Sequence, residues 1–140
     1  MKDFIPYEQA FALKELGFDE PCFGYYVDGE LRGINLGMEE LGGVEPYYQR
    51  FGFHTLSNHD IDNPNKIVVT APTFSQAFRW FREEHDLFGV VEGKGYDHKR
   101  YYVYSINGKW HPSRPGLDTY EEAELACLKK LIEIVKTKQQ

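Results

Sequence analysis

Three segments of this 140-residue chain carry the same helix-start pattern, in which an aromatic residue precedes Gln or Glu by two positions and Ala follows directly. The pattern occurs at residues 7–10, 74–77 and 120–123. In the last two segments a threonine, Thr73 or Thr119, stands three residues before the Gln or Glu. This spacing is typical of a capping box, in which the Thr hydroxyl accepts from a helix N–H and the acidic or amide side chain reaches back to the Thr N–H. The sequence therefore predicts three helices that begin at these positions.

The ends of the first helix and of two hairpins are also marked by local residues. Gly17 followed by Phe18 predicts a Schellman end for a helix over residues 7–16, because glycine adopts the left-handed conformation without strain. Asp28-Gly29 and Asn107-Gly108 each stand between β-forming segments, and both dipeptides favour a two-residue hairpin turn. The sequence thus predicts two antiparallel hairpins in addition to the helices.

The β-forming segments between these signals complete the predicted order α-ββ-loop-β-α-β-ββ-α. The predicted strands cover residues 22–27, 31–36, 66–70, 88–91, 101–106 and 109–111. This order predicts the α+β class, with a mainly antiparallel sheet and three helices in one globular domain over residues 1–140. The last helix, from residue 120 to about 136, has the widest apolar arc and is predicted to be the core helix.

Residues 37–65 interrupt this pattern. They hold four glycines, two prolines and an aromatic group that includes Tyr47 and Tyr48, without sustained periodicity. A connection of this length is uncommon in a compact domain unless it is functional or has structure of its own. We therefore interpret it as an irregular, aromatic-rich excursion and count Tyr47 and Tyr48 among the candidate binding residues.

Charge is distributed unevenly along the chain, whose formal net charge is −6. Residues 1–63 hold four basic and twelve acidic side chains, whereas residues 94–114 hold five basic side chains and one acidic one. An acidic chain repels the nucleic-acid backbone over most of its surface. Binding of duplex nucleic acid is therefore not expected, while a local anion site in the basic hairpin over residues 94–114 stays open.

Composition indicates a folded, cytoplasmic protein. The hydrophobic fraction is 41%, and the two cysteines, Cys22 and Cys127, are too few for a secreted disulfide framework. The first residues show no signal peptide, and no segment is apolar over the length of a membrane span. We expect a reduced, soluble protein with no membrane association.

Three runs of the sequence support a resemblance to a known group. Residues 7–22, 71–82 and 119–135 resemble small accessory proteins encoded by phages and prophages of Bacteroidetes. Membership of this group implies no particular biochemical activity. The resemblance implies an accessory protein of a phage or mobile element that is expressed in the cytoplasm of a bacterial host. It implies no catalytic or binding residue.

Known catalytic and cofactor motifs are missing from the sequence, and no cofactor is predicted. The nearest approach to a metal site is the cluster of His54, His59, Asp60 and Asp62, whose side chains would suit Zn or Mn. The alternative is ordinary turn chemistry, because Asp and Asn beside Pro64 favour turns. We predict no metal and no enzyme active site, and retain the four residues as weak candidates.

Two features are candidates for binding. Trp80 lies roughly 110° from the apolar stripe of the second helix, counted at 100° per residue, and tryptophan is frequent among interface anchors; alternatively, the core extends around to it. In the basic hairpin, alternation places Arg100, Tyr102 and Tyr104 on one face and Tyr101 and Val103 on the other. Rings beside cations can stack a base and pair its phosphate. The candidate residues of the hairpin are Lys99, Arg100, Tyr102, Tyr104 and Lys109; the alternative is an edge hairpin kept soluble by charge.

Three hypotheses for function follow. The first is a non-catalytic factor that binds a basic host protein, such as a defence enzyme, through the acidic N-terminal half and its excursion. The second is a module that binds a nucleotide or another anion through the basic hairpin. The third is a metal-dependent hydrolase that uses the His and Asp cluster.

Overall fold

The structure, a computed structural model, describes residues 3–33, 55–61, 64–96, 99–111 and 116–139. It confirms the predicted α+β class and element order. The helices are α1 (Tyr7–Glu15), α2 (Phe74–His85) and α3 (Tyr120–Gln139), and the strands are β1 (Gly24–Val27), β2 (Glu30–Gly33), β3 (Val68–Ala71), β4 (Gly89–Tyr96), β5 (Lys99–Ile106) and β6 (Lys109–His111). The strands form two three-stranded antiparallel sheets, ordered β2-β1-β3 and β4-β5-β6.

The chain divides into two compact units, Met1–Thr73 and Phe74–Gln140. Each unit holds one of the two sheets, whereas the sequence predicted a single mainly antiparallel sheet. The pattern of turns and strands could not show this division, because the assignment of strands to a sheet depends on contacts between residues that are distant in sequence. The prediction of one domain over residues 1–140 stays a prediction.

Both ends of α1 follow from local chemistry. The helix begins at Tyr7, as predicted, and ends in a Schellman motif. The Phe18 N–H donates to the Leu13 carbonyl at 2.9 Å, and the Gly17 N–H donates to the Lys14 carbonyl at 3.1 Å. Gly17 has a φ of 100°, a conformation that residues with a Cβ rarely adopt. The predicted end of the first helix is confirmed.

The first hairpin turns at Asp28-Gly29, as predicted. Both residues have positive φ, 50° and 86°, which is the backbone of a type I′ turn. Asp28 also joins the hairpin to the chain before β3: its N–H donates to the Ile67 carbonyl at 2.8 Å, and its Oδ1 accepts from the Ile67 N–H at 2.9 Å. The predicted strand over residues 66–70 therefore begins two residues later, at Val68.

The first sheet is covered on both faces within its own unit. On one face, Tyr25 and Val27 belong to an apolar cluster with Leu56 and Val68. On the other face, the Tyr26 hydroxyl donates to the Ile5 carbonyl at 2.7 Å. The Tyr7 ring lies 5.5 Å from the Tyr26 ring, edge-on, and Phe4 packs against Gly24. All four residues of β1 are therefore buried.

Part of the predicted excursion has regular structure. Residues 55–61 contain a short 3₁₀ helix, Asn58–Asp60. Ahead of that helix, Leu56 pairs with Cys22 through two backbone hydrogen bonds of 2.8 Å. The Asn58 amide donates to the Phe18 carbonyl at 2.9 Å and accepts from the Thr70 N–H at 3.0 Å. This segment thus supplies the cover for one face of the first sheet.

In the second sheet, β4 and β5 are longer than the predicted strands over residues 88–91 and 101–106. β4 continues to Tyr96, through two glycines that a strand pattern based on side chains does not favour. A Cβ at Gly93 would lie 3.1 Å from the Tyr102 ring, so the glycine makes room for that ring on the neighbouring strand. The second hairpin turns at Asn107-Gly108, with φ values of 51° and 81°, as predicted.

α3 packs against β4 and β5 through a fully buried apolar face. A Cβ at Gly89 would lie 2.9 Å from the Cys127 Sγ and 3.2 Å from Leu131 Cδ1, so the helix and the strand are in close contact there. The prediction that this is a core helix is confirmed. Among the described residues, no helix combines the length and the apolar character needed to cross a membrane.

The cap of α3 differs in one bond from the predicted capping box. The Glu122 N–H donates to the Thr119 hydroxyl at 3.1 Å, as predicted. The Glu122 carboxylate accepts from the N–H of Asp118 at 3.3 Å, one residue before Thr119. The helix therefore begins at Tyr120 as expected, while the reciprocal bond reaches one residue farther along the backbone.

Candidate ligand-binding face

The second sheet has two faces, which its register distinguishes. Gly89 pairs with Ile106 and Gly93 pairs with Tyr102, and Gly89 lies against α3. Because side chains alternate along a strand, every second residue from these positions faces the helix. We call the opposite side the outer face. It carries Val90, Glu92, Lys94, Lys99, Tyr101, Val103, Ser105 and Trp110.

Two of the predicted stacking residues, Tyr102 and Tyr104, lie on the helix side. The Tyr102 ring contacts the Tyr120 ring edge-on, with centroids 6.1 Å apart. Burial raises the pKa of the Tyr104 hydroxyl, and the nearby Cys127 raises it further. Tyr102 and Tyr104 therefore lie half-buried on the side that α3 covers, and their part in binding stays a prediction.

The rings that are open to solvent lie on the outer face. Tyr101 is 42% exposed and Trp110 is 44% exposed, and Val90 beside them is exposed as well. Beneath these side chains, Val103 and Ser105 are buried. The outer face is thus a partly apolar surface with two solvent-exposed aromatic rings.

Lys94 connects the two ends of this surface. It pairs with Tyr101 across β4 and β5, yet its Nζ lies 4.8 Å from the centroid of the Trp110 ring on β6. The Lys94 side chain therefore extends from β4 across β5 toward β6. Its ammonium also lies 3.9 Å from the Glu92 carboxylate, an exposed contact that water weakens.

Tyr101 is held from one side by the chain that precedes α3. A Cβ at Gly116 would collide with the Tyr101 ring, so the glycine backbone packs against it. Next to this position, Tyr102 and Leu117 exchange backbone hydrogen bonds of 2.8 and 3.0 Å. The ring is consequently anchored along one edge, while 42% of the residue stays exposed.

The three predicted cations of the hairpin are all exposed, and they do not share one face. Lys99 stands two residues before Tyr101 on β5 and lies on the outer face. Arg100 and Lys109 occupy helix-side positions, opposite Gly95 and Ile106 in the register. None of the three forms an ion pair with another described residue. Lys94 and Lys99 are therefore the lysines that share the outer face with the exposed rings.

Trp80 is 5% exposed. Its ring contacts Phe81 at a centroid distance of 5.0 Å and His85 at 4.8 Å, both edge-on. The prediction of Trp80 as a surface anchor is therefore corrected, and the alternative, that the apolar core extends to it, describes the structure.

The predicted metal cluster is described only in part, since His54 and Asp62 lie outside the described residues, as do Tyr47 and Tyr48. His59 already contacts a carboxylate through each ring nitrogen: Nδ1 lies 2.7 Å from Asp19 and Nε2 lies 3.1 Å from Asp60. The His59 N–H also donates to Asp19 at 2.7 Å. In the part of the chain that the structure describes, no three His, Cys, Asp or Glu side chains are arranged to hold a metal ion.

Neither cysteine has the properties of a nucleophile. Both thiols are buried, and burial raises the pKa of Cys22 and of Cys127 from 9.0 to about 12. A thiolate is needed for attack, and at neutral pH these side chains remain protonated. They act as small core residues, one in each unit.

Lys94, Tyr101 and Trp110 were not among the binding residues predicted from the sequence. Their placement was available from the Asn107-Gly108 turn, because a two-residue hairpin sets Ser105 opposite Trp110 and alternation then puts Tyr101 on the same face. What no local signal showed is which face α3 covers.

No family model matches this sequence, and neither a curated protein nor a solved structure is detectably similar to it.

Proposed function

We propose that this protein acts by binding, and that the outer face of the second sheet binds an anionic ligand with a planar ring, such as a nucleotide. The observation that carries the proposal is a cation among two exposed rings on one face: the Lys94 ammonium lies 4.8 Å from the Trp110 ring, and Tyr101 pairs with Lys94 in the register. Exposed aromatic rings on a sheet stack bases of any sequence, and a neighbouring cation pairs the phosphate.

The energies of the two kinds of contact favour a ligand that replaces the contact between Lys94 and Trp110. A cation over an exposed ring contributes about 0.5–1 kcal/mol, whereas stacking of a base contributes about 1–3 kcal/mol. A ligand that stacks on Trp110 and offers a phosphate to Lys94 therefore replaces one weak contact by a stronger stack and a charge-assisted hydrogen bond. Glu92, 3.9 Å from Lys94, opposes such a ligand and limits its affinity.

Tryptophan fluorescence tests the proposal directly, because the chain has two tryptophans and only Trp110 is exposed. In a Trp80→Phe variant, Trp110 is the sole tryptophan emitter. We expect saturable quenching of its emission by mononucleotides, dinucleotides or cyclic nucleotides. Ligand at a hundred times its Kd would also stabilise the wild-type protein by about 2.7 kcal/mol.

Two variants complete this test. Trp110→Ala removes the stacking ring and should abolish the thermal shift that nucleotides cause. Phe23→Ala removes an exposed ring from the first unit, where Phe23 is 57% exposed, and should leave the shift unchanged. If no nucleotide at millimolar concentration quenches Trp110 or shifts the melting temperature, the proposal is wrong.

We retain a basic protein partner as a second candidate, because one surface of α1 favours it. Phe11 is exposed there between Glu8 and Glu15, three and four residues away and therefore on the same side of the helix. Lys14 does not offset these charges at that surface, since its Nζ donates to the Val68 carbonyl at 3.4 Å. In this candidate, the protein is a phage accessory factor of the bacterial cytoplasm.

Co-purification from a bacterial host tests the second candidate. A doubly substituted Glu8→Lys, Glu15→Lys protein should lose a partner that the wild-type protein retains. A Glu83→Lys, Glu84→Lys protein changes the total charge equally on α2, where both residues are exposed, and should keep the partner. Equal retention by both variants would remove α1 as the contact surface.

A further inference from the structure

We infer that the outer face binds a single strand of nucleic acid that contains at least two bases joined by a phosphodiester, rather than a mononucleotide. This inference rests on the proposed function and specifies its ligand. It comes from the groups that the outer face combines: the exposed Tyr101 ring on β5, the exposed Trp110 ring on β6, and the Lys94 ammonium, which reaches from β4 to Trp110. Two rings and a cation match two bases and a phosphate.

The register sets the separation of the two backbone positions that carry the rings. Tyr101 and Ser105 are four residues apart on β5, and Trp110 pairs with Ser105 on the next strand. At about 3.3 Å per residue and about 4.8 Å between strands, the Cα atoms of Tyr101 and Trp110 are roughly 14 Å apart. Stacked nucleotides of one strand advance about 3.4 Å each, so about four of them span this distance. We therefore expect a ligand that contacts both rings to carry more than one base.

Lys94 reaches along the outer face from β4 to β6. Its backbone lies opposite Tyr101 and its ammonium reaches Trp110, so the cation can pair any phosphate along that path. Lys99 extends the positive charge beyond Tyr101 on the same face and forms no ion pair with the other described residues. A strand that runs from Trp110 to Tyr101 therefore meets two cations and two rings.

Duplex nucleic acid does not fit this arrangement. Its bases are paired and their faces are stacked on one another, so the rings of Tyr101 and Trp110 have no free base to contact. The formal charge of −6 also opposes the higher charge density of a duplex. The rings and the charge thus both favour unpaired nucleotides.

Calorimetric titration with dTMP, (dT)₂, (dT)₄ and (dT)₈ tests the inference on the full chain. We expect the affinity to increase at least tenfold from dTMP to (dT)₄ and then to level off. Tyr101→Leu should weaken (dT)₄ binding by about 5-fold to 150-fold, the effect of one lost stack, while dTMP, which needs only Trp110 and Lys94, changes less than threefold. Melting temperatures confirm that each variant is folded.

Salt dependence gives a second measurement. Two phosphates neutralised on a single strand predict a slope of about −1.4 for log K against log salt, at about −0.7 per phosphate. Lys94→Gln should reduce the slope by about half, whereas Lys136→Gln, an exposed lysine on α3, should leave it unchanged. Parallel titrations with (rU)₄ and (dT)₄ distinguish RNA from DNA as the preferred strand.

Each contrary outcome has a distinct meaning. Equal affinities for dTMP and (dT)₄ would overturn the inference and leave the proposed function intact. Equal binding of a short duplex would overturn the preference for unpaired bases. Absence of binding by every ligand in the series would refute the inference and the proposed function together.

Discussion

The two sheets share a plan and differ in what covers them. Each has three antiparallel strands around a central strand that enters a type I′ hairpin turn. In the first sheet, all four residues of β1 are buried, with α1 and the residues before it on one face and residues 55–61 on the other. In the second sheet, α3 covers one face, and Tyr101 and Trp110 stand exposed on the other.

This difference is the basis for placing the proposed binding site on the second sheet. Residues on both faces of the first sheet contribute to stability, because each is removed from water on folding. On the second sheet, the large side chains on the helix side contribute in this way, whereas Tyr101 and Trp110 on the outer face stay exposed. Exposed rings that the fold does not need for stability are available for a ligand, and for this reason the proposed site lies on the second sheet.

Substitution of adjacent tyrosines in β1 is the strongest test of this comparison. Tyr25 and Tyr26 point to opposite faces and are both buried, so Tyr25→Ala and Tyr26→Ala should each reduce the free energy of unfolding by about 3–5 kcal/mol. Tyr101→Ala and Trp110→Ala on the outer face should cost about 1 kcal/mol or less. Urea unfolding measures all four. A tolerated change at either β1 position would show that one face of the first sheet is open.

The stability of the protein at alkaline pH tests how well each unit buries its thiol. Burial raises the pKa of Cys22 and Cys127 to about 12 in the folded chain, whereas the unfolded thiols titrate near 9.0. Between these values the unfolded chain binds fewer protons, so stability is present below pH 9 and declines as the pH rises toward 12.

We expect the loss to be on the order of a few kcal/mol for each thiol. Urea unfolding between pH 7 and 11 measures it, and Cys22→Ala and Cys127→Ala should each remove one share of the decline. If Cys127→Ala leaves the pH dependence of the wild type unchanged, the interface between α3 and the second sheet is more hydrated than the first core.

The cap of α3 tests how firmly the helix covers its face. Thr119→Ala removes the acceptor of the Glu122 N–H and should cost about 1 kcal/mol of stability. Thr137→Ala is the control near the other end of the helix, where the hydroxyl donates to the Glu133 carbonyl, and should change stability by less than about 0.5 kcal/mol. Chemical denaturation measures both, and equal effects would contradict a capping role for Thr119.

Substitution of Glu92 has the smallest expected effect, a change in ligand affinity, and it tests the outer face alone. Glu92→Gln removes a carboxylate 3.9 Å from the Lys94 ammonium, and the affinity for dTMP should rise by about twofold to fivefold, the magnitude of an exposed charge pair. Glu133→Gln alters a similar exposed pair with Lys130 on α3 and should leave the affinity unchanged. A decrease in affinity for Glu92→Gln would argue against an anionic ligand at this face.

Helix starts, the Schellman end at Gly17 and both hairpin turns were predictable from the sequence. Each depends on hydrogen bonds and φ values within a few residues, so a short segment determines them. The candidate site was predictable only to the level of its hairpin. Alternation sorted the tyrosines into two faces correctly, while no local signal showed that α3 packs on the face of Tyr102 and Tyr104.

The tertiary structure alone decided the burial of Trp80, the division of the strands between two sheets and the side of β5 that α3 covers. These depend on which surfaces meet after distant segments fold together, and apolar burial is non-directional, so no local pattern specifies the partner. The sequence by itself determined where each element begins and turns. Packing decided which aromatic rings became core and which stayed exposed beside Lys94.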